Sequence, residues 1–486
     1  MLADITEDTY VEAVDTLTID LAGFNLDLVS GYIYVDSTGD LTIQGGGTVT
    51  VGDTVWVDGG NLIFEADLIS GITGIYAYSA ATVNMIGNID ILSRGTGVYA
   101  ADPSTAVTIT GNITVESGYN VDVYDGARVT VNGNLINTGT ADSTAVIANY
   151  GAYVDIYGNI TATCCGVSAY GDQSEVYVSG NIDAGIGGAV VAGDSAVTVD
   201  GNVNMEADGE YCVYAFGDTT IVIGGNVTAE GEGNYGVLAY GGVDKASVSV
   251  GGNVSISGGI NVAVFADVNG SIEVTGNVTV DGDESCGVLA YGGSDEASVS
   301  VGGNISASGN ESVAVYAEVN STVDVIGDVT ATGEDVIGID AYDGAIITVG
   351  HNVVITGVNG IGVQVQYGSE VTIEGNIFAP TYISFGPLTV DGIPYNPYTI
   401  TAADNDSSSL KDGYLQYSVT YMGGQSMDIP FTDYVWVRGL TFEIPDEPTL
   451  PGTGDTGALI LGSSVLLLAL MGVGALVLFR RKAQQS

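Results

Sequence analysis

The sequence predicts an all-β protein: a parallel β-helix (solenoid) of about 24 residues per coil, with a C-terminal β-rich cap and one C-terminal transmembrane helix. Three observations predict it. Gly-Asn pairs recur at regular intervals, apolar residues come in pairs spaced by two, and one long stretch nearly duplicates another. The Asn of the pair stands at 88, 112, 134, 159, 181, 202, 226, 253, 277 and 304, and the series runs on through Asp328, Asn352 and Asn376. From 88 to 376 is 288 residues in 12 steps, a mean of 24. Tyr235 to Gly258 (YGVLAYGGVDKASVSVGGNVSISG) and Cys286 to Gly309 (CGVLAYGGSDEASVSVGGNISASG) match at an offset of 51, two coils of 24 and 27.

The repeating unit reads G-V-x-A-Y-x-G, then V-x-V-x-G-N, then I/V-x-I/V. Apolar residues two apart put one face of each short strand inward. Three such strands cannot bury that face alone, but stacked coils bury it continuously. With strands about 4.8 Å apart, roughly 15 coils make a rod on the order of 70 Å long. Propeller blades need about 40 to 45 residues each, and the L-x-x-L-x-L core of leucine-rich repeats and the calcium-binding G-G-x-G-x-D nonapeptide are both absent. At the Gly-Asn corner, Asn tolerates the left-handed conformation, Gly adopts it without cost, and stacked Asn amides can bond along the ladder.

The expected organisation is an N-terminal cap and first coil over residues 1–45, repeats over 46–380, a β-rich cap or stalk over 381–446, a spacer and motif over 447–457, a transmembrane helix over 458–479 and a basic tail over 480–486. The period is lost after Pro380, and Tyr434 to Val437 alternate as a strand.

Composition restricts function. Lys+Arg is 8 against Asp+Glu 59, a formal charge of −51, so the phosphate backbone of a nucleic acid would be repelled. Charged residues are only 14% and apolar ones 45%, which argues against disorder. Gly 73 against Pro 9 fits many tight turns. Cys164, Cys165, Cys212 and Cys286 are expected as free thiols, because coil stacking sets Cys165 and Cys212 about 10 Å apart and Cys212 and Cys286 about 14 Å apart, beyond the roughly 7 Å Cα limit.

Catalytic residues are not assigned. The solenoid's cations, Arg94, Arg128 and Lys245, fall in separate coils, and the single histidine, His351, occupies a corner slot usually held by Gly. Carboxylates such as Asp281, Asp283, Glu284, Asp295 and Glu296 fall in inter-strand turns. No cofactor is required by these residues; calcium is the cation such turns would suit, yet no spacing is diagnostic of a metal site. The candidate binding feature is aromatic. Tyr78, Tyr124, Tyr170, Phe216, Tyr240, Phe265, Tyr291, Tyr316 and Tyr342 fill the Y slot of G-V-x-A-Y and are expected to form a ladder along the rod. It would stabilise the coils laterally, stack on sugar rings, or do both.

The tail carries a second feature. Leu450-Pro451-Gly452-Thr453-Gly454 precedes an uncharged run from Ala458 to Phe479, which Arg480-Arg481-Lys482 follows. The 22-residue run, at about 1.5 Å per residue, spans a hydrocarbon core of about 30 Å, and the cations place it with its C-terminus in the cytoplasm. Pro451 keeps the motif extended and accessible.

The repeat over Leu17 to Ala379 resembles pectin-lyase-like right-handed β-helices, and the tail resembles the L-P-x-T-G sorting signal of Gram-positive wall-anchored proteins. The second resemblance implies a sortase that cuts between Thr453 and Gly454 and joins the Thr453 carboxyl to peptidoglycan or another cell-wall amine. The membrane would then hold the chain only before processing, and the mature protein would lie on the extracellular face of the wall. The first implies a scaffold shared with polysaccharide lyases and glycoside hydrolases, the alternative to an adhesin-like rod that acts by contact on a glycan or host surface ligand. Since Met1-Leu2-Ala3-Asp4 opens no basic or apolar leader, a secretion signal is expected upstream.

Overall fold

The computed structural model describes residues 3–7, 9–139, 143–386, 388–390, 393–395, 398–421 and 431–438. Inward Val, Ile and Ala residues alternate with outward polar ones, and the chain coils into three stacked parallel faces. One turn comprises Val254–Ser257 on face A, Val262–Asp267 on face B and Gly270–Val274 on face C. The next turn, Val278–Asp281, Cys286–Tyr291 and Ala297–Val301, pairs with it strand for strand in parallel register. Face A runs from Ile5–Thr6 to Ile377–Phe378 through sixteen parallel pairings, so the rod is about 77 Å long at 4.8 Å per coil.

The solenoid begins at Ile5, which pairs with Leu26, so residues 1–45 already hold strands of the first two turns. At the other end Thr381–Phe385 continues face B, and Phe431–Val437 continues face C by pairing with Glu370–Ile373. Val435 and Val437 extend the buried Val371 and Ile373 column. The cap then turns antiparallel, with Leu415–Tyr421 against Phe431–Val437 and Tyr398–Ile400 against Thr381–Phe385, which covers the ends of faces C and B. Two cations staple it to the last coil. Lys411 Nζ lies 4.1 Å from the Trp436 ring and donates to Thr372 Oγ1, while Arg438 pairs with Glu374 at 2.9 Å and stacks over Tyr414.

The corner between faces C and A departs from the sequence expectation. None of the motif Asn residues is left-handed; non-glycine residues with positive φ stand instead at the other corners, as at Asp125, Asp194, Asn269 and Glu311. Glycine is required by proximity: a Cβ on Gly276 would lie 2.5 Å from Asn253 Oδ1 and 2.6 Å from the Gly252 carbonyl oxygen. Nor is the ladder built chiefly amide to amide. The backbone N–H of each motif Asn donates to the side-chain oxygen of the coil before, from Asn112 to Asn88 at 2.9 Å through Asn253 to Asn226, Asn277 to Asn253 and Asn304 to Asn277 at 2.8 Å. Asp328 serves the same way, accepting from Asn352 at 2.8 Å.

Among the described residues there is no α-helix, and none that could cross a membrane. The segment 458–479, read from sequence as a transmembrane helix, lies outside the described residues, as does Leu450 to Gly454.

Two outcomes follow. Because Asn253 Oδ1 is the acceptor for the Asn277 amide, Asn253→Ala should speed hydrogen exchange at that amide about fivefold or more, the equivalent of about 1 kcal/mol, while Asn253→Asp should not. Equal protection in wild type and Asn253→Ala would refute the ladder's role. The second concerns Asp433, which accepts from the Gly368 and Ser369 amides but leaves Oδ2 buried and unpartnered. Burial raises its pKa to about 6, against the lowering by those two amides. A raised pKa means the folded cap holds this proton more tightly than the unfolded chain. Its contribution is therefore full below about pH 3.8 and lost as pH rises through about 6. Thermal unfolding followed by Trp436 fluorescence in a Trp56→Phe background should show Asp433→Asn, which keeps the acceptor without the charge, raising the cap's midpoint at pH 7.5 and changing it little at pH 4.5. An equal shift at both pH values would count against this account.

Candidate functional site

The aromatic slot lies on face B, and inward packing sets its geometry. In each face-B strand Val and Ala at spacing two point into the core, as Val237 and Ala239 or Val288 and Ala290 do, all fully buried. The residue between them and the residue after them point outward, so the face has a central outer column and a trailing one.

The register divides the nine sequence-predicted aromatics between these columns. Tyr78, Tyr124, Tyr170, Phe216, Tyr240, Tyr291 and Tyr342 stand in the trailing column. Phe265 and Tyr316 do not: Phe265 pairs with Leu238 and Leu289, and Tyr316 with Leu289, in the central column, while Asp267 and Glu318 take their trailing places. The inward pair was the sequence signal for this, since Val264-Phe265-Ala266 and Val315-Tyr316-Ala317 put the ring inside V-x-A and not after it. The trailing column is accordingly not a continuous ladder. Over the last coils it alternates Tyr240, Asp267, Tyr291, Glu318, Tyr342 and Gln366, with its tyrosines two coils, about 9.6 Å, apart.

Continuous stacking is found in the central column, on residues the slot pattern missed. Trp56, Tyr76 and Tyr99 follow one another in register, with ring centroids 4.5 Å apart for Trp56 and Tyr76 and 4.2 Å for Tyr76 and Tyr99. Tyr124 joins them at 5.8 Å from Tyr99, and Tyr78 meets Tyr76 edge-on at 5.7 Å. Tyr34 donates to Asp58 Oδ2 at 3.3 Å on the preceding side, and a shallow groove lined by Glu12, Tyr32, Tyr34, Asp53 and Trp56 continues the surface. Burial pushes the Tyr78 hydroxyl up to about 12, helped by the Asp58 charge, so this phenol stays a protonated donor. A second aromatic group lies further along. Tyr211, Tyr214 and Tyr235 stack at 5.0 to 5.2 Å, and the Phe216 ring leans over Gly193 toward Tyr170.

Face B differs from the other two in exposure. On faces A and C the outward residues are open, so Val278–Asp281 and Thr219–Ile223 alternate cleanly between buried and accessible. On face B several outward side chains are recessed: Asp122 is 7% exposed, Ser168 8%, Leu238 7%, Asp340 2% and Gln364 3%. Rings and long side chains from adjacent coils cover them, producing an aromatic and apolar floor with carboxylates and amides set into it.

The other candidate residues do not converge on this floor. Arg94 and Lys245 are exposed at different corners, and Arg128 on face C pairs with Asp155 at 3.7 Å and stacks over Tyr153. His351 is a corner residue whose N–H donates to the Gly327 carbonyl at 3.2 Å and whose carbonyl accepts from Gly375 at 3.0 Å. Among the described residues, no His, Cys, Asp and Glu group is placed to hold a metal ion. All four cysteines are free, with the Cys212 and Cys286 thiols raised by burial. Comparison of the chain with protein-family models, curated proteins and solved structures gives no match.

Proposed function

We propose that this is a surface protein anchored to the cell wall that acts by contact: an adhesin-like, glycan-binding β-helical rod of the pectin-lyase-like kind. The observation that carries the binding half is the recessed aromatic floor of face B, where Trp56, Tyr76 and Tyr99 offer stacked, half-buried rings beside carboxylate acceptors. Sugar rings have apolar faces for the aromatics and peripheral hydroxyls for the acids. The parallel scaffold fixes these groups before a ligand arrives, which lowers the entropy lost on binding. The anchoring half is supported by the order of three sequence features, Leu450 to Gly454, the apolar run Ala458 to Phe479 and the cations Arg480, Arg481 and Lys482. On this reading a sortase is the processing partner, a cell-wall amine of peptidoglycan is the acceptor, and a glycan or host surface ligand is the target.

The two halves are tested separately. Incubated with a sortase and hydroxylamine, the full chain should give a product ending at Thr453 by mass spectrometry, and Thr453→Ala should give none; an intact wild-type chain or cleavage elsewhere refutes the anchoring. On a glycan array, Trp56→Ala and Tyr76→Ala should lose signal about tenfold or more. Tyr157→Ala, whose 51% exposed ring lies at the corner leaving face C, should keep it. Equal loss in all three variants, or no wild-type signal, refutes the binding.

A further inference from the structure

The central column of face B carries a carboxylate at the end of its N-terminal aromatic run. Asp122 stands directly after Tyr99 in the stack and directly before Ile147. Its neighbours above are the stacked rings of Tyr99 and Tyr76, and Tyr124 from its own strand closes the side, with Tyr99 and Tyr124 centroids 5.8 Å apart. The Tyr124 hydroxyl lies near enough to the Asp122 carboxylate to favour its ionised form. That leaves Oδ1, which is buried and has no hydrogen-bond partner.

An acceptor in that position is costly. A buried polar atom without a partner forfeits its hydration, and a carboxylate oxygen forfeits more than a neutral one. The fold does not require the acid, because Ile147 and Ser168 hold the same slot in the next two coils. Nor is a cation at hand to explain it: Arg128, the nearest basic residue in sequence, lies on face C and is paired with Asp155. Burial raises the Asp122 pKa to about 6, opposed by the Tyr124 hydroxyl. The side chain leaves the strand on its outward side, next in register to Tyr99, with Oδ1 closed over by its neighbours.

Resting on the reading that face B binds glycan, we infer that the Asp122 recess is a subsite for an uncharged sugar residue, whose hydroxyl donates to Asp122 Oδ1 when the Tyr124 ring that closes the side turns away, while its apolar face lies against Tyr99 and Tyr76. The same arrangement disfavours acidic sugars. A uronate carboxylate brought to this recess would meet Asp122 itself, the Asp58 carboxylate three coils earlier in the trailing column, and a chain of net charge −51 with no free cation on that floor among the described residues. The selectivity is therefore for neutral over polyuronic chains, although both present hydroxyls.

Isothermal titration of the full chain with cellohexaose, mannohexaose, chitohexaose and hexagalacturonate tests this. At least one neutral hexasaccharide should bind, and hexagalacturonate should bind about tenfold more weakly or not at all. Asp122→Ala and Asp122→Ser, the latter copying the residue at 168, should each weaken the neutral ligand about tenfold or more, with unchanged far-ultraviolet circular dichroism. Tyr240→Ala, far along the rod, should not weaken it. If both Asp122 variants bind as wild type does while Trp56→Ala loses binding, the subsite is wrong and the face-B reading stands. Hexagalacturonate binding as tightly as the best neutral ligand overturns the selectivity. If none of the four binds, both inferences fall.

Discussion

Every strand of this molecule must pass its backbone hydrogen bonds to the coils on either side, at a spacing of about 4.8 Å, and the other features follow from that requirement. Stacking at this distance aligns like with like. Val254 lies on Val278 and Val278 on Ile305, and Asn253 Oδ1 meets the Asn277 amide. It also leaves no volume at the Gly-Asn corner, where the glycine is excluded from bearing a Cβ by the carbonyl of the coil beneath. The core is consequently made mainly of Val, Ile and Ala, whose branched or short side chains fit a column repeated at strand spacing.

The same alignment governs the surface. A ring placed outward in two consecutive coils must stack, as Tyr76 and Tyr99 do, and an acid so placed faces another acid, as exposed Glu206 and Glu230 do. Acids spread over corners and outward faces are hydrated and cost little there. Asp122 and Asp433 are different because neighbouring coils or the cap cover them, and both resist ionisation. A solenoid thus converts composition along the chain into stripes along the rod, and face B is the stripe where apolar and polar groups are covered together.

Much of the fold was legible because the repeat is strong. The coil length, the strand alternation and the strand at Tyr434 to Val437 all come from side-chain period alone, and the structure has them. The reason for glycine at the Gly-Asn corner was not legible, since proximity between coils is not written in the local dihedral preference of Gly or Asn. A second, buried ladder at the corner from face A to face B was missed as well. There the Asn234 amide donates to Asn261 Oδ1 at 2.7 Å, Asn261 to Ser285 Oγ at 3.1 Å and Ser285 to Ser312 Oγ at 3.2 Å. Its members change identity and spacing from coil to coil, so no fixed motif marks them. The aromatic slot was only half legible. Aligned by its rings it reads as one ladder, but aligned by its inward Val and Ala it separates into two columns.

By itself, then, the sequence determined that the chain coils, with what period, and which residues of each strand are apolar on one side, because these depend on alternation and turn chemistry within a single coil. The tertiary structure decided which side chains share a column and which are covered. Corner lengths vary, as in the coils of 24 and 27, and only hydrogen-bond register between coils fixes where Phe265, Tyr316 or Asp122 falls on the finished face.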